Sequence, residues 1–272
     1  MILHWLITGD THGVNNTVVR NAKRAYPDIK PNEIGLIILG DAGFNFGRPE
    51  DDAKWKKITN KIGVQIYCVR GNHDQHPESI GMKKVWDYEV SGNIYWQEKY
   101  PNIHYFIDGN AYIINGLRTL VLGGAYSVDK YYRLENNMFW EPNEQLSEAE
   151  RNEIFYSNMG KQFDLILSHT CPISWQPTDL FLDFIDQSTV DTTMEEWLEK
   201  FKNNISFDMW CWGHYHQDRL ERPHCQLMYK KMESLENIWN RWHIEDNDIT
   251  YLPKSPNYYF NDNPWAEKNN ID

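Results

Sequence analysis

Residues 2–13 read ILHWLITGDTHG, an apolar run that leads directly into a short polar segment. The run contains large apolar and aromatic side chains and ends in glycine, a pattern typical of a buried β-strand. The polar segment supplies a carboxylate, Asp10, and an imidazole, His12. Groups of this kind hold divalent metal ions without thiolates. The stretch therefore predicts a strand that carries candidate metal ligands at its carboxyl end.

The same arrangement occurs four more times along the chain. The later polar segments are GDAG (residues 40–43), GNHD (residues 71–74), SH (residues 168 and 169) and GHYH (residues 213–216). One such segment carries little weight, because Gly-Asp is a common turn dipeptide. A lone histidine at a strand end is also more often a packed polar residue than a ligand. Five segments in succession indicate one shared site.

The five apolar runs predict five strands, over residues 2–8, 35–39, 64–69, 163–167 and 207–212. Strands that are apolar throughout belong to a sheet that is covered on both faces. In open α/β sheets, ligands gather beyond the carboxyl ends of the strands, where all five polar segments lie. Asp10 with His12, and His214 with His216, are spaced at i and i+2. In an extended segment the members of such a pair face the same side.

Helix signals alternate with these runs. Pro49, followed by three acidic residues, predicts a helix start, since acidic groups are favoured at a helix N-terminus. Ser147 with Glu150 fits a capping box that opens a helix towards residue 159, and Thr192 with Glu195 fits another. A further helix is predicted over residues 16–26, where a proline ends it.

Residues 86–123 show a different pattern, with short β-like runs over residues 94–97, 104–107, 111–114 and 119–122. Turn sequences such as DGN (residues 108–110) and NG (residues 115 and 116) separate them and predict hairpins. No internal repeat or Gly/Ser linker divides the chain. We therefore expect one domain over residues 1–243, and a polar tail over residues 244–272 that packs on the domain or frays from it.

The composition is that of a soluble globular protein. The 272 residues carry a formal net charge of −12 and no basic stripe, which disfavours long duplex DNA as a substrate unless a partner binds it. The four cysteines form no Cys-x-x-Cys pair, which indicates reduced thiols. No run approaches the length of a membrane span, and no secretory signal opens the sequence. These features predict a cytoplasmic protein without a membrane partner.

In order and residue type, the five segments resemble the calcineurin-like metallophosphoesterases, which are dinuclear-metal phosphatases and phosphodiesterases. The resemblance implies an α/β fold, a four-layer α/β/β/α sandwich of two mixed sheets flanked by helices, with the metal site at the strand ends. The hairpins at residues 86–123 would then form its second sheet. Two metal ions would be held, with Asp41 bridging them through one carboxylate. The first ion would bind Asp10, His12 and His216, and the second Asn72, His169 and His214. This ligand set suits Mn, Fe or Zn.

The resemblance also implies a reaction, the hydrolysis of phosphate mono- or diesters by in-line attack of a metal-bridging hydroxide. His73 would protonate the departing oxygen or help to position the phosphoryl group. Many relatives carry a second Asp where this chain has Phe44, and the protein phosphatases add an Arg where it has Asn45. The usual partner of the catalytic histidine is therefore absent. Asp74 or another carboxylate must orient the ring of His73, if any group does.

Other cationic residues lie close to the segments and are candidate substrate contacts. Arg70 directly precedes GNHD, and Arg48 follows the second segment. The stretch GGAYSVDKYYR (residues 123–133) follows a predicted strand, and its glycines permit close approach of the backbone to a ligand. Lys130 and Arg133 in that stretch would contact the phosphate. The alternative for this stretch is an ordinary solvated loop.

The pattern leaves three functions open. It favours a phosphohydrolase that acts on a small molecule, a nucleotide or a phosphoprotein, and it does not separate monoesters from diesters. The first alternative is a non-catalytic metal-binding scaffold of the same fold, although every ligand position and His73 are present. The second is a nuclease subunit that needs a DNA-binding partner, because this chain has no basic face of its own.

Overall fold

The computed structural model describes residues 1–181, 183, 185–222 and 224–243. The strands are β1 (His4–Thr8), β2 (Ile34–Ile38), β3 (Gln65–Cys68), β4 (Lys83–Asp87), β5 (Gly92–Trp96), β6 (Ile103–Phe106), β7 (Ala111–Ile114), β8 (Leu117–Leu122), β9 (Gln162–Ser168), β10 (Ser206–Trp212), β11 (Arg219–Arg222), β12 (Cys225–Leu227) and β13 (Glu233–Ser234). The α-helices are α1 (Asn15–Ala25), α2 (Pro49–Asn60), α3 (Lys130–Glu135), α4 (Glu148–Asn158), α5 (Thr193–Asn204) and α6 (Leu235–His243).

The strands form two mixed sheets. The first has the order β13-β1-β2-β3-β6-β5-β4, and β1, β2, β3 and β6 run parallel within it. The second has the order β11-β12-β10-β9-β8-β7, with β12, β10, β9 and β8 parallel. The five strands predicted before the polar segments are therefore β1, β2, β3, β9 and β10. Each begins and ends within two residues of its predicted bounds. β1, β2 and β3 are parallel neighbours in the first sheet, and β9 and β10 are parallel neighbours in the second.

Apolar side chains alternate between the inner and outer faces of both sheets. Along β2, Ile37 joins the core between the sheets, whereas Leu36 and Ile38 join the core beneath α1. Along β9, Leu165 faces the inner core and Ile166 packs in the outer core with α5. Because both faces are covered, these strands are apolar throughout. The result is the predicted four-layer α/β/β/α sandwich.

The helix predictions are confirmed at their starts, with one correction in detail. α4 has the predicted capping box, since the Ser147 hydroxyl accepts from the Glu150 N–H and the Glu150 carboxylate accepts from the Ser147 N–H. α5 begins after Thr192 without such a box. Glu195 is buried and accepts a 2.7 Å hydrogen bond from Thr170 Oγ1 instead. A tertiary contact thus takes the carboxylate that the capping box would have used.

The prediction for residues 86–123 is wrong in one respect. β5 and β6 extend the first sheet, because β6 pairs with β3, and only β7 and β8 belong to the second sheet. The turn at Asn115 and Gly116 closes the β7–β8 hairpin, with φ values of 52° and 80° as a type I′ turn requires. The turn at residues 108–110 carries the chain from one sheet to the other. Short alternating runs look alike in either sheet, so the sequence pattern could not separate them.

All four cysteines are buried and free of disulfides. Within the described residues, no helix is both long and apolar enough to cross a membrane. The predicted tail over residues 244–272 lies outside the described residues, so the domain boundary at residue 243 stays a prediction.

Candidate metal centre

The five polar segments meet at one edge of the sandwich, beyond the carboxyl ends of β1, β2, β3, β9 and β10. Two groups of side chains lie there, and within each group the ligand atoms are within 4.8 Å of one another. The first group is Asp10, His12 and His216, and the second is Asp10, Asp41 and His169. Asp10 belongs to both groups and is 1% exposed. The tertiary structure thus brings four other predicted ligands together around the buried carboxylate of Asp10.

Asn72 and His214 complete the predicted set. The Oδ1 atom of Asn72 lies 2.8 Å from Nε2 of His169, and the His214 ring centroid lies 5.0 Å from that of His169. The N–H of His214 donates to both carboxylate oxygens of Asp10, at 3.0 and 3.1 Å. Side chains from all five segments therefore contact one another at this edge.

The contacts between acceptor atoms fit bound cations. Nδ1 of His169 is 2.7 Å from the carbonyl oxygen of Leu39, so in the neutral ring this nitrogen donates and Nε2 carries a lone pair. That lone pair faces the Asn72 oxygen, which is also an acceptor. Nε2 of His12 lies 2.7 Å from Nε2 of His216. A divalent cation beside His169 and Asn72 would satisfy both of their acceptor atoms, and carboxylate, imidazole and amide ligands suit such an ion.

The chain reaches this geometry through left-handed turns, and not through the extended segments that the i, i+2 spacing predicted. His12, Asp41, His214 and His216 have φ values of 44°, 46°, 71° and 51°. Such a backbone is unfavourable for residues with a side chain, by roughly 1–2 kcal/mol each. Strained residues of this kind cluster at functional sites, where the surrounding structure holds them.

The glycines before the ligands are required because the buried carboxylates approach them closely. A Cβ atom at Gly71 would lie 2.1 Å from Asp41 Oδ1, and one at Gly213 would lie 2.3 Å from Asp10 Oδ1. Neither distance is possible for a real side chain. The glycines of the GNHD and GHYH segments therefore make room for carboxylates that arrive from β1 and β2.

The electrostatics keep most candidate ligands in the form that binds metal. Burial would raise the pKa of Asp10 and of Asp41, but the neighbouring histidines outweigh it and hold each pKa below its ordinary value. Burial lowers the pKa of His12, and burial together with His169 lowers the pKa of His214 to about 3. The carboxylates are thus ionised and these two rings neutral at pH 7.

His73 reaches the centre, but Asp74 does not pair with its ring. The N–H of His73 donates to Asp41 Oδ1 at 2.9 Å, and its Nε2 lies 3.8 Å from Asp41 Oδ2. Asp74 is fully buried and accepts from the N–H of Gly71 at 2.9 Å, and its other oxygen has no hydrogen-bond partner among the described residues. Burial, followed by the charge of Asp41, raises the pKa of Asp74 well above its ordinary value. The catalytic roles predicted for His73 and Asp74 stay predictions.

The positions that differ from the protein phosphatases have structural roles here. Phe44 is fully buried in the core beneath α1, and its carbonyl accepts from the hydroxyl of Tyr105. The side-chain oxygen of Asn45 accepts from Lys56, and the backbone N–H of Asn45 donates to Asp52 at 2.8 Å. A core ring and a polar contact to α2 thus replace the second aspartate and the arginine.

The four cations predicted to bind substrate are held by neighbouring protein groups. Arg70 is buried, and its guanidinium pairs with Asp108 at 2.9 Å and donates to two backbone carbonyls. Arg48 is exposed and pairs with an acidic residue of α2. Arg133 pairs with Asp129 at 2.7 Å, and Nζ of Lys130 lies 4.4 Å from the Trp140 ring centroid. The phosphate contacts stay predictions, and for Arg70 these contacts favour a structural role.

Sequence reasoning missed a polar chain behind Asn72. Its Nδ2 donates to Ser127 Oγ at 2.8 Å, and the N–H of Ser127 donates to Glu144 Oε1 at 3.2 Å. Asn72, Ser127 and Glu144 are all buried. This chain fixes which end of the Asn72 amide faces His169. Ser127 lies in the stretch over residues 123–133 that the sequence predicts to contact substrate. The prediction named Lys130 and Arg133 there because they are charged, and it did not name Ser127.

The family model for calcineurin-like phosphoesterases matches residues 3–218, and the chain belongs to that family. Similar solved structures include the TT1561 protein of Thermus thermophilus, with 15% identity and a TM-score of 0.45 over 88% of this chain and 96% of that chain. Phosphopantetheinyl hydrolase (PptH) from Mycobacterium tuberculosis shows 13% identity and a TM-score of 0.44 over 92% and 98%. No curated protein matches.

Proposed function

We propose that this protein is a dinuclear-metal phosphohydrolase that cleaves phosphate mono- or diesters. Family membership supports phosphoester hydrolysis in general. The observation that carries the finer proposal is the convergence of two ligand groups on Asp10, with the imidazole of His73 beside Asp41. That arrangement supports two ions held close together, with a side chain able to give a proton beside them.

Asp10, His12 and His216 would hold one ion, and Asn72, His169 and His214 the other, with Asp41 between them. When bound, a pair of Mn, Fe or Zn ions acidifies water to near-neutral pKa and stabilises the attacking and leaving oxygens together. The protein's part is to hold the ligands in place. Leu39 fixes the ring of His169 through its carbonyl, and Ser127 fixes the amide of Asn72. Such outer contacts orient ligands and tune the site.

His73 would give its proton to the departing oxygen. Its backbone N–H is tied to Asp41, which fixes the position of the residue next to the proposed ligand Asn72. Its ring is 18% exposed, so a substrate can reach it. Asp41 Oδ2 lies 3.8 Å from Nε2 of His73. Asp41 would stand in for the aspartate that the sequence lacks at Phe44.

The proposal is tested by elemental analysis and a hydrolysis panel. Protein purified without chelator should contain about two ions of Mn, Fe, Zn or a mixture per chain. The metal-loaded protein should hydrolyse at least one of an aryl monoester, an aryl diester, a phosphopeptide, and cyclic or linear nucleotides. Two bound ions with no hydrolysis of any substrate would favour the non-catalytic scaffold. Activity only with an added DNA-binding protein would favour the nuclease subunit.

His73→Ala separates general acid catalysis from phosphoryl positioning. A general acid contributes roughly 10²–10⁴ in rate, so the variant should lose activity on that order while it keeps its metals. An activated aryl ester leaves without needing a proton and should be affected much less than an alkyl ester. Equal losses on the two esters would show that His73 positions the phosphoryl group and is not the acid.

A further inference from the structure

A half-buried aromatic ring, Phe46, lies beside His73 and packs against a second half-buried ring, Phe139. The ring centroid of Phe46 is 6.1 Å from that of His73 and 5.3 Å from that of Phe139. The guanidinium of Arg133 lies over Phe46, 5.9 Å from the ring centroid. We call Phe46, Phe139 and Arg133 the aromatic cluster. Phe46 and Phe139 are both partly exposed, so a bound molecule can touch them.

The segment that supplies Phe139 and Arg133 is anchored directly to the centre. Within residues 126–144, Ser127 contacts Asn72 at its start, and Glu144 at its end accepts from Ser127. The indole N–H of Trp140 also donates to Glu144, at 2.8 Å. Glu144 thus ties the start of the segment to its end, and Ser127 joins the segment to the proposed ligand Asn72. We call residues 126–144 the cap segment.

The cap segment exposes an unusual amount of apolar surface. Exposed large apolar side chains are concentrated in it, and their exposure ranges from 43% to 62%. They are Val128, Tyr131, Tyr132, Leu134 and Met138. Large exposed apolar patches mark ligand or partner surfaces. The cations of the segment are engaged locally, since Arg133 pairs with Asp129 and Lys130 lies over Trp140. The segment that supplies Phe139 therefore carries exposed apolar surface.

We propose that the aromatic cluster is the leaving-group subsite of the metal centre, and that it selects a phosphate ester whose alcohol carries an apolar ring. The inference rests on the proposed function, because it places the phosphoryl group at the metal ligands and the alcohol at His73. A ring buried against Phe46 and Phe139 gains apolar contact and aromatic packing. A sugar or peptide group with many polar atoms would lose hydrogen bonds to water there without replacing them.

Two alkyl esters with similarly poor leaving groups test the subsite, 2-phenylethyl phosphate and n-butyl phosphate. The wild-type protein should prefer the phenylethyl ester in kcat/KM by roughly tenfold or more. Phe46→Ala and Phe139→Ala should each reduce that preference by roughly 3- to 10-fold, with little change on the butyl ester. Phe46→Leu keeps apolar bulk without a ring and should recover part of the preference. Tyr88→Ala removes an exposed aromatic ring outside the cap segment, and as the control it should leave the preference unchanged.

A binding measurement keeps the inference separate from the proposed function. The matching phosphonates, 2-phenylethylphosphonate and n-butylphosphonate, are titrated calorimetrically into the metal-loaded protein, and this requires no turnover. Selective binding of the phenylethyl compound that depends on Phe46 supports the subsite, even if neither ester is hydrolysed and the proposed function fails. If the esters are hydrolysed with no ring preference, or the preference survives both alanine variants and Phe46→Leu, the subsite assignment is overturned.

Discussion

Gly40→Ala should empty part of the metal centre although it changes no ligand. Gly40 follows β2, has φ +94°, and lies against the fully buried His169. A Cβ atom at this position would lie 2.1 Å from Nδ1 of His169 and 2.6 Å from its Cγ. Carbon and nitrogen atoms in ordinary contact are about 3.5 Å apart, so the ring must move by more than about 1 Å.

The size of that movement sets the expected loss. Metal–ligand distances tolerate only about ±0.2 Å, so a shift of this size removes His169 from the set of ligands. The ring would also lose its 2.7 Å hydrogen bond to Leu39, and loss of an orienting contact alone typically lowers metal affinity 10–100-fold. We expect at least that loss for one ion. The left-handed backbone adds roughly 1–2 kcal/mol of destabilisation, and the overpacking roughly 1–3 kcal/mol.

Two further variants separate strain from displacement. Gly47 has φ +70°, and a Cβ atom there would meet no atom within 4 Å, so Gly47→Ala should show the backbone strain and keep both ions. Gly71→Ala has no left-handed strain but drives a Cβ atom into Asp41, so it should lose metal. Calorimetric titration of metal into chelator-treated protein gives the metal affinity of each variant, and urea unfolding gives its stability. Wild-type affinity for two ions in Gly40→Ala would refute the reasoning.

Three further predictions concern single side chains. As the proposed bridging ligand, Asp41 contacts both ions, so Asp41→Asn should remove more metal than Asp10→Asn in elemental analysis. The opposite order would assign the bridge to Asp10, which belongs to both groups of ligand atoms. Ser127→Ala should weaken metal binding roughly 10–100-fold by freeing the amide of Asn72, and unchanged calorimetric affinity would contradict this. Glu195 is buried and its pKa is raised to about 7, so its ionisation opposes folding. Below pH 4.5 the group does not change the free energy of unfolding. As pH rises towards 7 it lowers the free energy of unfolding, and the loss levels off at about 3 kcal/mol. In metal-free protein, the free energy of unfolding in urea should fall between pH 4.5 and 8, and Glu195→Gln should reduce that fall. If the wild-type protein and Glu195→Gln lose stability in parallel over this range, the raised pKa of Glu195 is contradicted.

The resemblance carried by the five segments was sufficient to predict the fold, and the side chains that it names as metal ligands lie together at one edge of the sandwich. Buried parallel strands must be apolar on both faces, so β1, β2, β3, β9 and β10 are visible as continuous apolar runs. Ligands gather at the carboxyl ends of such strands, which explains why the polar segments follow these runs. The hairpin at Asn115 and Gly116 was equally visible, because a type I′ turn needs residues that tolerate positive φ.

The directions of the side chains were not visible in the sequence. The i, i+2 spacing was interpreted as extended backbone, but His12, His214 and His216 adopt left-handed turns that are held by contacts with other segments. The backbone N–H of His12, for example, donates to the carbonyl of Asp41 at 2.9 Å. A conformation stabilised by a partner far along the chain leaves no periodic signal.

Only the tertiary structure decided which polar groups face the centre. Arg70 precedes a ligand segment, yet its guanidinium is held by Asp108, which lies on the connection between the two sheets. Ser127 is an ordinary residue in the sequence, yet it orients Asn72 from 55 positions away. Sequence determines which strands are buried because burial requires apolar side chains at local, regular spacing. It does not determine these pairings, because each depends on how the sheets and the cap segment pack together.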